Sequence, residues 1–473
     1  MDYWELRKAV SQVVPRSTVL KELSETTGIR EKGRKSGYKQ FNIASGEMKS
    51  QERLLNEEEV NSFLEVSLRA QACPMPLNID VWDGLTCPFA CKYCYANAFR
   101  ASLYTAFFDN SKTMGLRHCN ADYYKRELDK LMVFRDKNPH DVSGEVRKAI
   151  AMEIPMRFGI RFEDFLYKER SAGVSLSLLE YLREVSYPLM INTKSSLVGE
   201  DDYVKVLSEN KARTALHLTM ISSDSVFLKR LEPGAPSFQK RIQACKNLVE
   251  AGVRVVARIE PYLVYMADSP DQIEGYCEHL KWAGVKNITF DTYSYSANNP
   301  GIRREFMLSG IDFDRLFLLG CDSQALGSLL LGKFMEEFRK RGFSCSTFDM
   351  GNASTNDQDI CCEVGDWFQR GSGGDVGYNY GCTVMAARYI RSKKDKPTSW
   401  KSFERMVNRN GGFLSDALRD EVRRLWNGGG NTAYGFTWAQ GLVPCGSDED
   451  GLVWKYNKEY DFRYEEILKG VIG

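Results

Sequence analysis

Three cysteines, Cys87, Cys91 and Cys94, stand in the run Cys87-Pro-Phe-Ala-Cys91-Lys-Tyr-Cys94-Tyr95. The C-x3-C-x2-C spacing brings three thiolates, and only three, into one short loop. Iron–sulfur cubes are held by cysteine thiolates, normally four. A loop that ligates three irons leaves the fourth open to another molecule. Two other uses compete. Structural zinc prefers four ligands, usually as two paired motifs, and a redox pair of Cys91 and Cys94 leaves Cys87 without a role.

A second group, Cys345, Cys361, Cys362 and Cys382, has enough thiols for an auxiliary iron–sulfur cluster. Buried thiols that behave as small hydrophobes are the alternative. The four histidines, His118, His140, His217 and His279, have no metal-ligand spacing. Residues 388–409 mix cations with aromatics: Lys393, Lys394, Lys396, Lys401, Arg405 and Arg409 beside Tyr389, Trp400 and Phe403. Such a mixture suits phosphates and stacked bases, and equally a solvated helix face with its tryptophan turned to the core.

The elements that must position these residues alternate. Near-continuous apolar runs predict strands at Leu77–Trp82, Ile154–Ile160, Tyr187–Asn192, Thr214–Ile221, Val253–Ile259 and Val285–Asp291. Helical patterning falls between them, at Lys92–Leu103, Tyr123–Phe134, Val174–Val185, Asp202–Glu209, Phe238–Ala251 and Asp271–Ala283. Repeated strand–helix units of this length predict an α/β fold, a partial (β/α)6 TIM-type barrel with N- and C-terminal extensions. Reactive groups of such barrels collect at the C-terminal ends of the strands, where the cysteine loop falls. The divisions are 1–76, an N-terminal extension; 77–297, the partial barrel; 298–390, a helical and cysteine-rich region; and 391–473, a basic and aromatic extension. Within the first, Gly28–Arg53 reads as a polar linker or as an arm that contacts nucleic acid.

Ile191-Asn-Thr-Lys194-Ser-Ser and Leu231-Glu232-Pro233-Gly234-Ala-Pro236, followed by Arg241-Ile242, narrow the reading. Together with the cysteine loop, they resemble the spore photoproduct lyase-like branch of the radical S-adenosylmethionine (SAM) superfamily over residues 74–268. The resemblance implies a [4Fe–4S] cluster on Cys87, Cys91 and Cys94, with SAM chelating the open iron. It implies that Lys194 meets the SAM carboxylate, that Thr219 bonds SAM, and that Tyr93 packs on the cluster. Tyr95 becomes a candidate for the SAM pocket or for radical transfer, against ordinary packing. Glu163, Asp164 or Glu169 stands in for the Gly-Gly-Glu-like turn that holds the SAM amino group. Glu232 and Arg241 are expected to form a structural ion pair.

The implied chemistry is reductive cleavage of SAM to a 5′-deoxyadenosyl radical, fed by an electron donor such as a flavodoxin or ferredoxin. The implied target is a base of DNA or RNA, in repair or modification. The thymine-repair lyases place a hydrogen-donor cysteine in the second-strand region, yet Ile154–Gly173 has none. Repair by that route is therefore not expected. A radical enzyme for a peptide or small metabolite is the second reading, and a non-catalytic nucleic-acid-binding metalloprotein the third.

Bulk properties exclude little. The 473 residues have a net charge of +1, which demands no polyanionic partner overall. Thirteen cysteines fit a reducing, cytoplasmic setting better than a disulfide scaffold. No apolar run of membrane-spanning length occurs, and no secretion signal is expected at the N-terminus.

Overall fold

The computed structural model describes residues 2–13, 64–66, 77–83, 87–94, 116–160, 162–293, 300–308, 324–347, 357, 362, 364, 382–409, 412–413, 416–428 and 442–456. Tyr95, Cys361, the Gly28–Arg53 segment and the side chain of Cys382 lie outside that set. The strands in chain order are β1 (Leu64–Val66), β2 (Leu77–Ile79), β3 (Trp82–Asp83), β4 (Arg117–His118), β5 (Met156–Phe158), β6 (Leu189–Thr193), β7 (Thr214–Thr219), β8 (Arg254–Tyr262), β9 (Asn287–Thr292), β10 (Ser344–Thr347), β11 (Leu442–Asp448) and β12 (Gly451–Tyr456).

Eight strands make the central sheet, in the order β1-β2-β5-β6-β7-β8-β9-β10. All six expected strands are present, in sequence order and parallel to their neighbours. Two further strands were not expected. β1 adds an antiparallel edge to β2, and β10 adds a seventh parallel strand beside β9.

The register gives the sheet two unlike faces, because successive side chains alternate. Ile79, Phe158, Ile191, Leu216, Leu218, Ile259 and Phe290 point to one side and are buried. Phe290 meets Phe334 and Phe338 there, on the helix Gln324–Lys340. The opposite face is polar. Asn78, Arg157, Asn192, His217, Thr219 and Thr289 are nearly inaccessible on it, joined by Arg258 and Glu260.

Helices connect the strands as expected, and their ends follow side-chain capping. Ser237 accepts from Lys240 N at the start of Phe238–Glu250. Ser269 and Gln272 form a capping box at Pro270–Trp282, with proline in the first turn. The predicted helix over Lys92–Leu103 differs at its start: Lys92 and Tyr93 form a turn, and residues beyond Cys94 are outside the described set. The N-terminal helix Tyr3–Val13 docks on the end of β8. There the Tyr3 hydroxyl bonds Tyr262 (2.8 Å) and Asp268, which also pairs with Arg7 at 3.0 Å.

A separate core lies between Ala386 and Tyr456, around Trp400, Phe403, Trp426 and Trp454. It contains the helices Cys382–Ser392, Trp400–Arg409 and Asp416–Trp426 and the β11–β12 hairpin.

Candidate functional site

The cysteine loop is built from two tight turns. Ala90 N donates to Cys87 O (3.0 Å) and Cys94 N to Cys91 O (3.2 Å), with Ala90 at a positive φ of 48°. Cys91 is buried, while Cys87 and Cys94 are half-buried. The loop is fastened to the segment after β7 by Lys92 N to Leu231 O (2.9 Å) and Gly234 N to Phe89 O (3.2 Å). Gly234 is required for this approach, since a Cβ there would lie 2.0 Å from Pro88 O. The Glu-Pro-Gly motif therefore has a direct physical purpose: it lets two backbones touch.

Beneath the loop runs a buried charged chain. Tyr93 donates its hydroxyl to Glu232, and Glu232 pairs with Arg241, as expected; both members are almost inaccessible. Arg241 also donates to Thr219 O and Pro236 O, each at 2.9 Å. Thr219 is thus held through its carbonyl, at the end of β7. Breaking such a pair leaves one charge uncompensated, so the chain fixes the loop's position firmly.

Lys194 follows β6, and its Nζ lies 5.5 Å from the centre of the Tyr93 ring. Burial pulls the ammonium pKa down, but its neighbours, Cys91 first and then Glu232, outweigh it and the net shift is upward. Burial pushes the Cys91 thiol well up, and Lys194 opposes that. A cation therefore lies beside the cysteine loop, over the ring of Tyr93.

The acidic candidates after β5 separate into different roles. Asp164 is fully buried and accepts from Val81 N (2.7 Å), Trp82 N (3.2 Å) and Gly159 N (2.7 Å). It ties the end of β2 to the end of β5. Burial and nearby Asp80 raise its pKa. Glu169 accepts from the Trp82 indole (2.7 Å) and Ser175 N (2.7 Å). Glu163 accepts from the Thr193 hydroxyl (2.6 Å), Phe165 N (3.1 Å) and Lys194 N (3.0 Å). Burial raises the Glu163 pKa, partly offset by those donors. Of the three, Glu163 alone is bonded to the residue carrying the site's cation. The structure thus gathers the cysteines, Tyr93, Lys194 and Glu163 at one edge of the sheet, with Thr219 fastened to the same network.

Residues missed by the sequence argument include Glu305, which accepts from Lys92 (2.5 Å) and Arg230 (3.0 Å) and braces the loop from outside. The polar sheet face was also missed. Arg157 bonds Asn78 at 2.9 Å, Thr289 bonds Glu260 at 3.2 Å, and Arg258 pairs with Glu260. A charged residue inside an apolar run, such as Arg157 in Met156-Arg-Phe158, was the available signal.

Of the second cysteine group, Cys345 and Cys362 lie among the described residues. Cys345 is paired in register with Ile288 on the helix-packed face of the sheet. The main chain at Cys362 lies over the polar face, where its carbonyl meets His217 Nε2 at 3.0 Å.

The donor set of the first loop is three thiolates with no histidine or carboxylate among them, which suits three irons of a cube.

The chain is similar to spore photoproduct lyase. The solved structure complexed with dinucleoside spore photoproduct aligns at 14% identity and a TM-score of 0.42, over 61% of this chain and 80% of that one. SuiB of Streptococcus suis bound to S-adenosylmethionine aligns at 15% identity and a TM-score of 0.37, over 58% and 51%. No protein-family model and no curated protein matches the chain.

Proposed function

We propose that this protein is a radical SAM enzyme. The observation that carries the reading is the three-thiol loop at the C-terminal edge of a parallel sheet, with Lys194 set over Tyr93 between the second and third cysteines. Cys87, Cys91 and Cys94 would hold a [4Fe–4S] cluster. With SAM, that group supplies a 5′-deoxyadenosyl radical for hydrogen abstraction. Around it, Lys194 neutralises the SAM carboxylate as a compact point charge. Glu163 is the preferred acceptor for the amino group, because it alone of the three acids is bonded to Lys194, the residue that carries the site's cation. The Tyr93–Glu232–Arg241 chain keeps the loop in place.

The substrate would lie on the polar sheet face, whose amide, imidazole, guanidinium and carboxylate groups suit a ligand rich in donors and acceptors. A nucleic-acid base has that character. We favour modification or repair of such a base over action on a peptide or small metabolite. A protein electron donor of the flavodoxin or ferredoxin kind and a cytoplasmic, reducing setting complete the proposal. A second cluster is left out of it: Cys345 faces the helix-packed side of the sheet, and Cys361 and the Cys382 side chain lie outside the described residues.

The test is anaerobic reconstitution with iron and sulfide, chemical reduction, and measurement of 5′-deoxyadenosine from SAM. Wild type should produce it, Cys91→Ala should not, and Cys245→Ala, in the apolar core, should. Zinc in place of iron, or a Cys91→Ala variant that still cleaves SAM, would sink the reading.

A further inference from the structure

The small C-terminal unit has an order of elements that can be read directly. Helix Cys382–Ser392 is followed by a one-residue bridge at Thr398, then helices Trp400–Arg409 and Asp416–Trp426, then the β11–β12 hairpin. Thr398 pairs antiparallel with Trp454 in the last strand. Helix, strand, helix, helix, strand, strand, with the first strand on the last, is the arrangement of a winged helix-turn-helix. The hairpin is locked to the third helix. Arg423 pairs with Asp450 (2.9 Å), the Trp426 indole donates to Leu452 O (2.6 Å), and Leu452 N donates to Asn427 (2.8 Å).

Charge is distributed unevenly over this unit. Residues 388–409 contain eight Lys or Arg against two Asp or Glu, giving +6 in a chain whose total is +1. On the third helix and the hairpin, charges largely cancel: Arg419 pairs with Glu404 and Arg424 with Glu421, besides Arg423 with Asp450. On the second helix they do not. Lys401, Arg405 and Arg409 recur at every fourth position on the exposed face. Lys393, Lys394 and Lys396 are exposed in the turn before it. Lys401 lies 3.7 Å from the well-exposed Glu449, a contact open to water and salt. Among the described residues, Arg405 and Arg409 have no carboxylate partner.

We propose that this face docks the phosphate backbone of double-stranded DNA. The three cations span about 12 Å of a straight helix. Each strand of a duplex presents one charge per ~3.4 Å of axis, so that span matches about three to four phosphates of one strand. A fixed row of cations suits a stiff, linear polyanion. Single strands are gripped with exposed aromatic faces, and among the described residues the large aromatics Trp400, Phe403, Trp426 and Trp454 are buried. Contacts to phosphates carry no sequence information, so the site would bind without sequence preference. It does not depend on the cluster chemistry proposed above, since it is assayed without iron or SAM.

The experiment is anisotropy of a labelled duplex of about 24 bp titrated with the full chain between roughly 50 and 200 mM salt. Wild type should bind, with an affinity that falls steeply as salt rises. Lys401→Glu/Arg405→Glu/Arg409→Glu should weaken binding at least tenfold and flatten the log–log salt slope by about 2.7, at ~0.9 per lost phosphate contact. Lys205→Glu, on the main unit, should change nothing. Near-UV dichroism of the tryptophan core reports whether the triple variant remains folded. If it does not, the Gln triple variant is used, with the same slope change expected. Salt-independent binding, an unchanged triple variant, no binding, or tighter binding of a single strand would each overturn the assignment.

Discussion

The two buried cores of this chain handle charge in opposite ways. In the parallel-sheet unit, charged groups go inside: Glu232, Arg241, Glu163, Asp164 and Glu169 are all nearly inaccessible, and each is bonded to a specific partner. In the C-terminal unit the interior is aromatic and the charges stay on the surface. Burying ionised groups has a desolvation cost, which makes them weak evidence for stability but good positioning devices when every partner is present. The first unit is therefore built to hold groups at fixed places, and the second to present a surface.

That contrast is broken most directly at Arg241. Arg241→Leu should destabilise the main unit by about 3–5 kcal/mol, since Glu232 would remain buried and uncompensated. Replacing both partners with apolar residues should recover much of the loss. Urea unfolding followed by iron content measures both effects. Trp426→Ala has a similar nominal cost, about 3–5 kcal/mol, but should fall on the small core only and leave cluster loading intact. If either variant unfolds both units together, the two cores are one cooperative body and the comparison fails.

Gly234→Ala sharpens the argument about the cysteine loop. A Cβ placed 2.0 Å from Pro88 O forces two backbones apart, and such overpacking costs about 1–3 kcal/mol. The expected readout is lower iron retention at nearly unchanged secondary structure. Full iron loading in this variant would mean that the backbone contact is not what sets the loop.

Legibility from sequence followed the same division. Six parallel strands were readable because each has an apolar run facing the helices, as in Thr214–Thr219. β10 was missed because Ser344-Cys-Ser-Thr347 has no such run: Ser344 and Ser346 face the polar side, and only Cys345 and Thr347 face the helices. The polar face itself was hidden, since its members come from different strands and meet only through register. At the site, the Glu232–Arg241 pair and Gly234 were visible as a motif. The separate tasks of Glu163 and Asp164 were not, because adjacent acids in sequence point to different strands in space.

Acid titration tests a smaller effect. Burial raises the pKa of Glu305, but Lys92 and Arg230 outweigh it and hold the carboxyl below its usual range. A depressed acid contributes stability above its ordinary pKa, and that contribution is lost as pH falls through the folded value. Glu305→Gln should therefore flatten the acid limb of stability below about pH 4.5. The loss at neutral pH should be on the order of 1 kcal/mol, because both cations are partly solvated. An unchanged acid limb would remove Glu305 from the loop's supports.

The smallest effect has the opposite sign. Arg405 lies four residues from both Lys401 and Arg409, and each like-charge pair at that spacing costs an isolated helix about 0.2–0.5 kcal/mol. Alanine is also the better helix former. Arg405→Ala should therefore raise the stability of the C-terminal unit slightly, by about 0.5 kcal/mol, with a small increase in melting temperature followed by tryptophan fluorescence. Local rules are broken mainly where a surface has a task, and a cation retained against its own helix is such a case. If the substitution instead destabilises the unit by a kilocalorie or more, Arg405 belongs to the fold, and the division between a positioning core and a presenting surface would have to be redrawn.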